Sequence, residues 1–375
     1  MATYYVDGAV GNDSNLGTSE GSGNAWATIN KAATTAAAGD TVNIKASATY
    51  TLTSAQTFTN SGNATSGPII YRGYTTTPGA DDGRPLITSA TNSVHLFNIG
   101  AKTGLKFQHL KFTHTAATRG HGIVSATSGN AFDIAVIDCE FDGVQDAING
   151  DNVVSFLINT IVVDRCKIRA NRHGTYNAGS TLIRNSLIYE CGTNGIYTTV
   201  GQNQAVIQIV DSVIRDCSVG INYSPSIGSI LSLDHTVIYS NSSHGIEKNS
   251  NVIATFALCN CILYGNGGWG ITVASGQLVE AENCANAYGS NTSGNRNGWS
   301  AGAGDVALSA NPFTAPGSDD FSLNNTAGGG AALRNAGFPG VSHFGTGYAD
   351  IGPLRHQDAG GGSGIGVLVG GGIAR

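Results

Sequence analysis

The stretch Ile207-Gln208-Ile209-Val210-Asp211-Ser212-Val213-Ile214-Arg215-Asp216-Cys217-Ser218-Val219-Gly220-Ile221 decides the fold, because the next one repeats it. That next stretch is Leu231-Ser232-Leu233-Asp234-His235-Thr236-Val237-Ile238-Tyr239-Ser240-Asn241-Ser242-Ser243-His244-Gly245-Ile246. Both end in a small residue followed by a branched one. The same phrase stands at Gly122-Ile123, Ala147-Ile148, Gly174-Thr175, Gly195-Ile196 and Gly270-Ile271, about every 25 residues. Repetition at that period is the signature of a solenoid.

Working outward, an apolar anchor column reads Phe141, Ile168, Ile188, Ile214, Ile238 and Leu263. Five residues before it come Val136, Val163, Ile183, Ile209, Leu233 and Leu258, and seven before it Ile134, Ile161, Thr181, Ile207, Leu231 and Phe256. Apolar pairs at period two describe strands with one buried face. The pattern predicts an all-β, right-handed parallel β-helix with three strands per coil. A leucine-rich repeat would need a dense Leu framework with a recurring Asn, which is absent. A β-sandwich has no reason to repeat its chemistry in register.

The expected organisation is an N-terminal cap with first strands over 1–60, coils over 61–290, C-terminal loops and a cap over 291–357, and a Gly-rich tail over 358–375. Within the first part, residues 25–38 read as a capping helix stopped by Gly39-Asp40. An open solenoid end exposes strand edges and needs such a cover.

Only 12% of the 375 residues are charged and the net charge is −6. With 19 Lys and Arg and no basic run, the composition argues against a nucleic-acid partner. No apolar stretch is long enough to span a bilayer, so no transmembrane segment is expected. Met1-Ala2-Thr3-Tyr4-Tyr5-Val6 shows no Sec signal. Work in a virion or outside a cell would then require lysis, assembly into a particle, or a leader.

The seven cysteines read as reduced and structural rather than as disulfides or a metal site. Cys139, Cys166 and Cys261 share an inward column with Ser186, Ser212 and Thr236. Cys191 and Cys217 share a corner column with Asn171, Asn241 and Asn266. Buried thiols behave as small hydrophobes, and no local pair has zinc-ligand spacing. No cofactor is expected.

Several runs resemble the opening of pectate-lyase-like right-handed β-helix proteins of bacteria and phages. They are Tyr4-Tyr5-Val6-Asp7, Gly11-Asn12-Asp13-Ser14-Asn15-Leu16-Gly17-Thr18, Trp26-Ala27-Thr28-Ile29 and Gly39-Asp40-Thr41-Val42. The closing Ala349-Asp350-Ile351-Gly352-Pro353-Leu354 resembles how many of them end. The resemblance covers roughly residues 4–355, and it implies a fold shared by lyases, hydrolases, epimerases, tailspikes and non-enzymatic surface proteins. Some of those lyases bind Ca²⁺ through clustered Asp residues and use a Lys or Arg as base. Here Asp7 and Asp13 lie near the cap, and Asn12-Asp13-Ser14-Asn15 reads more simply as a tight turn. The tail, with Ile365, Val367, Leu368 and Val369 behind a glycine linker, resembles the docking peptides of phage structural proteins. A frayed terminus is the alternative reading, on equal footing.

Residues flanking the anchor should face outward. In two coils these are Glu140 and Asp142 over Lys167 and Arg169, with Asp138 near the corner. They form either a carboxylate cluster beside candidate bases or a cross-strand charge ladder, and opposite charges in register favour the ladder. In the following coils Leu187, Val213, Val237 and Ile262 form an apolar stripe beside Tyr189, Arg215, Tyr239 and Tyr264. Such a stripe marks a contact: the 286–339 segment folded over it, a protein subunit, or a glycan. These features favour a non-enzymatic structural or surface-display protein of a virion or cell surface. Its partners would be protein subunits, further copies of the chain, or a surface polysaccharide. The rival is a polysaccharide lyase or glycoside hydrolase acting on an acidic or neutral glycan.

Overall fold

The computed structural model describes residues 1–125, 133–149, 160–176, 180–198, 206–224, 229–250, 253–273, 278–338 and 350–353. It is an all-β parallel solenoid of about 9 turns with about 25 residues per coil. Its contacts divide the chain into two units, Met1–Thr181 and Leu182–Arg375.

In the first unit, Thr3–Val6 pairs parallel with Thr41–Lys45, which pairs with Ile69–Tyr74. Leu105–Gln108, Ile134–Ile137 and Thr160–Asp164 extend the ladder. In register along it run Val42, Tyr71, Phe107, Val136 and Val163, all buried. A second ladder brings Ile87, Phe112, Phe141 and Ile168 into line, with the Phe112 and Phe141 rings stacked 4.8 Å apart. Each such side chain removed from water contributes about 1.5–3 kcal/mol. The helix is shorter than expected, Ile29–Thr35. Trp26 is drawn into a bridge with Val6, Thr28 caps the helix by accepting from the Lys31 amide, and Ala36 is already extended.

In the second unit an anchor column runs Ile188, Ile214, Ile238, Leu263 and then Tyr288, residue opposite residue. Coils here break into separate strands, as in Val206–Val210, Val213–Arg215 and Val219–Tyr223. The breaks have a conformational cause. Three residues before each anchor stand His109, Asp138, Arg165, Asn185, Asp211, His235, Asn260 and Ala285, with φ between 46° and 55°. Two residues after it, Glu190, Asp216, Ser240, Gly265 and Ser290 have φ between 49° and 73°. A single left-handed residue turns the chain without a loop. Where the second turn is missing, at Ala170, Lys167–Tyr176 runs on as one strand. Glu140–Asn149 also runs through, absorbing Gly143 (φ 71°) as a register shift.

The same turns sort the cysteines. Cys139, Cys166 and Cys261 are buried in the interior column, and Cys191 and Cys217 are buried at the corner. Below them Asn241 donates to Asn266 at 3.0 Å, and Asn266 to Asn291 at 2.8 Å. Asn171, assigned to that ladder from sequence, is instead exposed, because its coil lacks the turn at 170. The expectation that every cysteine is reduced is overturned: Cys259 and Cys284 form a disulfide between adjacent strands. They lie four residues before the anchor, in a column where one sulfur stacks directly on the next.

Candidate functional site

The charge ladder forms in the expected register, Glu140 opposite Lys167 and Asp142 opposite Arg169. Arg169 donates to Asp142 through Nε at 2.8 Å and Nη2 at 2.7 Å. Glu140 also faces Lys111 on the preceding strand, with Nζ 2.7 Å from Oε1. Asp138 is apart from this row. At its corner it receives Arg84 and His109, the latter at 2.7 Å, while His109 reaches Asp81 at 2.7 Å through its other nitrogen. Burial would raise the Asp138 pKa, and its bonds to His109 and Arg84 outweigh burial and lower it. A carboxyl held ionised in this way is not a proton donor.

Sequence reasoning missed the most concentrated chemistry, which sits one turn further along the same strands. Asp146 is fully buried and accepts from Arg172 Nε at 2.9 Å, Asn149 Nδ2 at 2.8 Å and the His173 amide at 3.1 Å. Arg172 Nη2 closes a second bond, and His121 Nδ1 lies 3.1 Å from the carboxylate. Burial alone would raise the Asp146 pKa, but the Arg172 and His121 bonds hold it well below the usual carboxylate range. Burial also pushes His173 down to about 4, against the pull of Asp146, so its imidazole is neutral near pH 7. His95 stacks on His121 at 4.7 Å, and Arg172 lies over the Tyr176 ring at 5.0 Å. Asn149 Oδ1 is buried without a hydrogen-bond partner among the described residues. The cluster opens to solvent at Arg172, 37% exposed, and less so at His121, 15% exposed. The available signal was the residue preceding each small-branched phrase, which reads His121, Asp146, His173 in consecutive repeats.

The apolar stripe is not a binding surface. Leu187, Val213, Val237 and Ile262 are buried in a cluster with Phe313, Phe321, Leu323, Leu333 and Ile351. The chain's own C-terminal segment covers them, as one of the three expected readings had it, and leaves no stripe for a glycan or subunit. Tyr239 meets Phe313 and Phe321 edge-on at 5.5 and 5.6 Å, and Tyr264 accepts from Ser290 at 2.9 Å. Arg215 lies over Tyr189 at 4.9 Å and pairs with Asp319 of the covering segment. Burying these apolar faces under a loop removes them from water without a second chain. Asp13 accepts from the Ala27 and Thr28 amides, and Asp7 from the Ala9 amide and the Ser47 hydroxyl, so both carboxylates tie separate segments near the N-terminus together. Ile365, Val367, Leu368 and Val369 lie outside the described residues.

No protein-family model matches the sequence, and no curated protein does. Among solved structures, the chain is similar to pectate lyase Pel9A, with TM-score 0.53, 16% identity, and 95% of this chain and 97% of that chain covered. A rhamnogalacturonan lyase aligns at TM-score 0.43 and 15% identity over 76% of this chain and 87% of that one. The GH136 lacto-N-biosidase from Eubacterium ramulus aligns at TM-score 0.47 and 10% identity over 82% and 68%. The chain has the pectate-lyase-like parallel β-helix fold.

Proposed function

We propose that the chain binds and cleaves an acidic polysaccharide along the paired strands Glu140–Asn149 and Lys167–Tyr176. The observation that carries this reading is local charge. Lys111, Arg119, Lys167, Arg169 and Arg172 gather there against Glu140, Asp142 and Asp146, on a chain whose acidic residues outnumber its cations, 25 to 19. A cationic strip on an anionic protein concentrates an anionic ligand, and guanidinium groups suit carboxylates. We assign proton transfer to His121, the partly exposed imidazole that Asp146 orients. One similar solved structure is named a pectate lyase, which agrees with a glycan substrate. Surface display, by contrast, rested on the paired charges, the apolar stripe, the missing Sec signal and the docking-like tail, and of these the stripe is occupied by the chain itself.

The test is incubation with polyuronates, following unsaturated products for a lyase and reducing ends for a hydrolase. Cleavage is expected, with His121→Ala retaining binding and losing turnover by about 10²–10⁴-fold. If no acidic glycan is bound or cut by the intact chain, the proposal fails.

A further inference from the structure

We infer that Cys259, Cys284 and Glu282 form a site for a thiophilic divalent cation when the disulfide is reduced, so that one pair of sulfurs serves either a covalent cross-link or a metal. The alternation of the strand Ala254–Cys259 sets the geometry. Phe256 and Leu258 are fully buried on the inner side, so Ala257 and Cys259 project the other way. On the neighbouring strand Leu278–Cys284, a register shift between Phe256 and Ala257 places Glu282 opposite Ala257 and Cys284 opposite Cys259. Glu282 and Cys284, two residues apart, therefore share the side that carries Cys259. Their donor atoms and the Cys259 sulfur all lie within 4.8 Å of one another, with Cys284 Sγ 3.9 Å from Glu282 Oε1. This is the only group of three or more such side chains gathered to that degree among the described residues.

The donor set selects the ion. Two thiolates and a carboxylate suit Zn²⁺ or Co²⁺ and not Ca²⁺ or Mg²⁺, which take oxygen ligands. Three protein ligands leave a fourth position for water, with Glu282 on the exposed side. A Cα separation of 4.9 Å lets both sulfurs reach one ion by side-chain rotation. The other five cysteines are buried in the interior or at the corner and lie outside this group.

The interconversion balances. A dithiol reductant delivers two electrons and two protons to the Cys259–Cys284 bond, yielding two thiols and the oxidised, cyclic reductant. The cation then displaces both thiol protons, leaving the site with one net negative charge.

The experiment is Co²⁺ titration of the full chain, as isolated under oxidising conditions and after anaerobic reduction and removal of the dithiol. The reduced protein should develop thiolate-to-cobalt charge-transfer absorption at one equivalent, lost on adding Zn²⁺, and the oxidised protein should develop none. Glu282→Gln should weaken Co²⁺ binding by about tenfold, and the Cys259→Ser, Cys284→Ser double variant should abolish the absorption. In case that variant misfolds, alkylation of the reduced wild type supplies a second readout, with Zn²⁺ protecting Cys259 and Cys284 in mass-mapped peptides. Absence of the absorption in the reduced wild type, its survival in a folded double variant, or alkylation of both cysteines at saturating Zn²⁺ would each overturn the assignment.

Discussion

Asp146 and His173 show how burial sets the charge states at the candidate site. His173 titrates at about 4 in the folded chain, against 6.5 for an ordinary imidazole. Between those values the unfolded chain binds the extra proton, so stability falls as pH drops from 6.5 towards 4, by about 3 kcal/mol over the window. His173→Gln should flatten that part of a stability–pH profile measured by urea denaturation. Asp146 is shifted down from 3.8, so its contribution is present above that pH and is lost only as acid protonates the folded carboxyl. Asp146→Asn should cost about 3 kcal/mol at pH 7, because it leaves Arg172 without its carboxylate. A loss below about 1 kcal/mol in the same denaturation series would show that solvent screens the pair. The outward charges of Asp142 and Arg169 were legible from strand alternation. The Asp146 cluster was not, because Asn149, Arg172 and His121 meet it from separate positions on three coils.

At the scale of one coil, the left-handed turns do the work that loops perform in other parallel folds. Gly265 has φ 73°, and a methyl group there would meet nothing nearer than 3.9 Å. Gly265→Ala should therefore cost only the conformational penalty, about 1 kcal/mol. Gly245 differs, since its added methyl would lie 2.4 Å from the Gly270 carbonyl oxygen. Gly245→Ala should cost clearly more than Gly265→Ala in paired thermal melts, and equal losses would argue against the close coil stacking. Truncating the interior line, Ile214→Ala, should cost about 2–5 kcal/mol, since Ile214 is fully buried between Ile188 and Ile238. The apolar columns forecast this line residue by residue. The turns behind them were not forecast, because Asp, Asn, His, Ser, Glu, Arg and Ala all occupy them and no residue type announces the position.

For the molecule as a whole, the covering segment and the disulfide are the decisive long-range features. Phe321 is fully buried against Tyr239 and Phe313, so Phe321→Ala should cost about 3–5 kcal/mol and uncover the stripe to a hydrophobic dye. An unchanged melt with no added dye binding would mean the segment is not held there. Thiol counting in denaturant should find five reactive cysteines without reductant and seven with it. Seven in the untreated protein would remove the cross-link.

The amino-acid sequence by itself determined the solenoid, its period and its interior line, because each coil must bury the same alternating apolar residues against the next. It also determined which charges oppose one another in Glu140, Lys167, Asp142 and Arg169, since register in a parallel ladder follows directly from the repeat. Tertiary structure alone decided what lies against the outward stripe, because Phe313, Phe321 and Leu333 belong to no repeat and reach it by folding back across it. It also decided the union of Cys259 with Cys284 and the gathering of His121, Arg172 and Asn149 around Asp146. The contacts around Asp146 depend on side-chain direction beside the bulge at Gly143, where strand alternation no longer says which way a residue points, whereas the disulfide lies in a column where the preceding coils carry no cysteine.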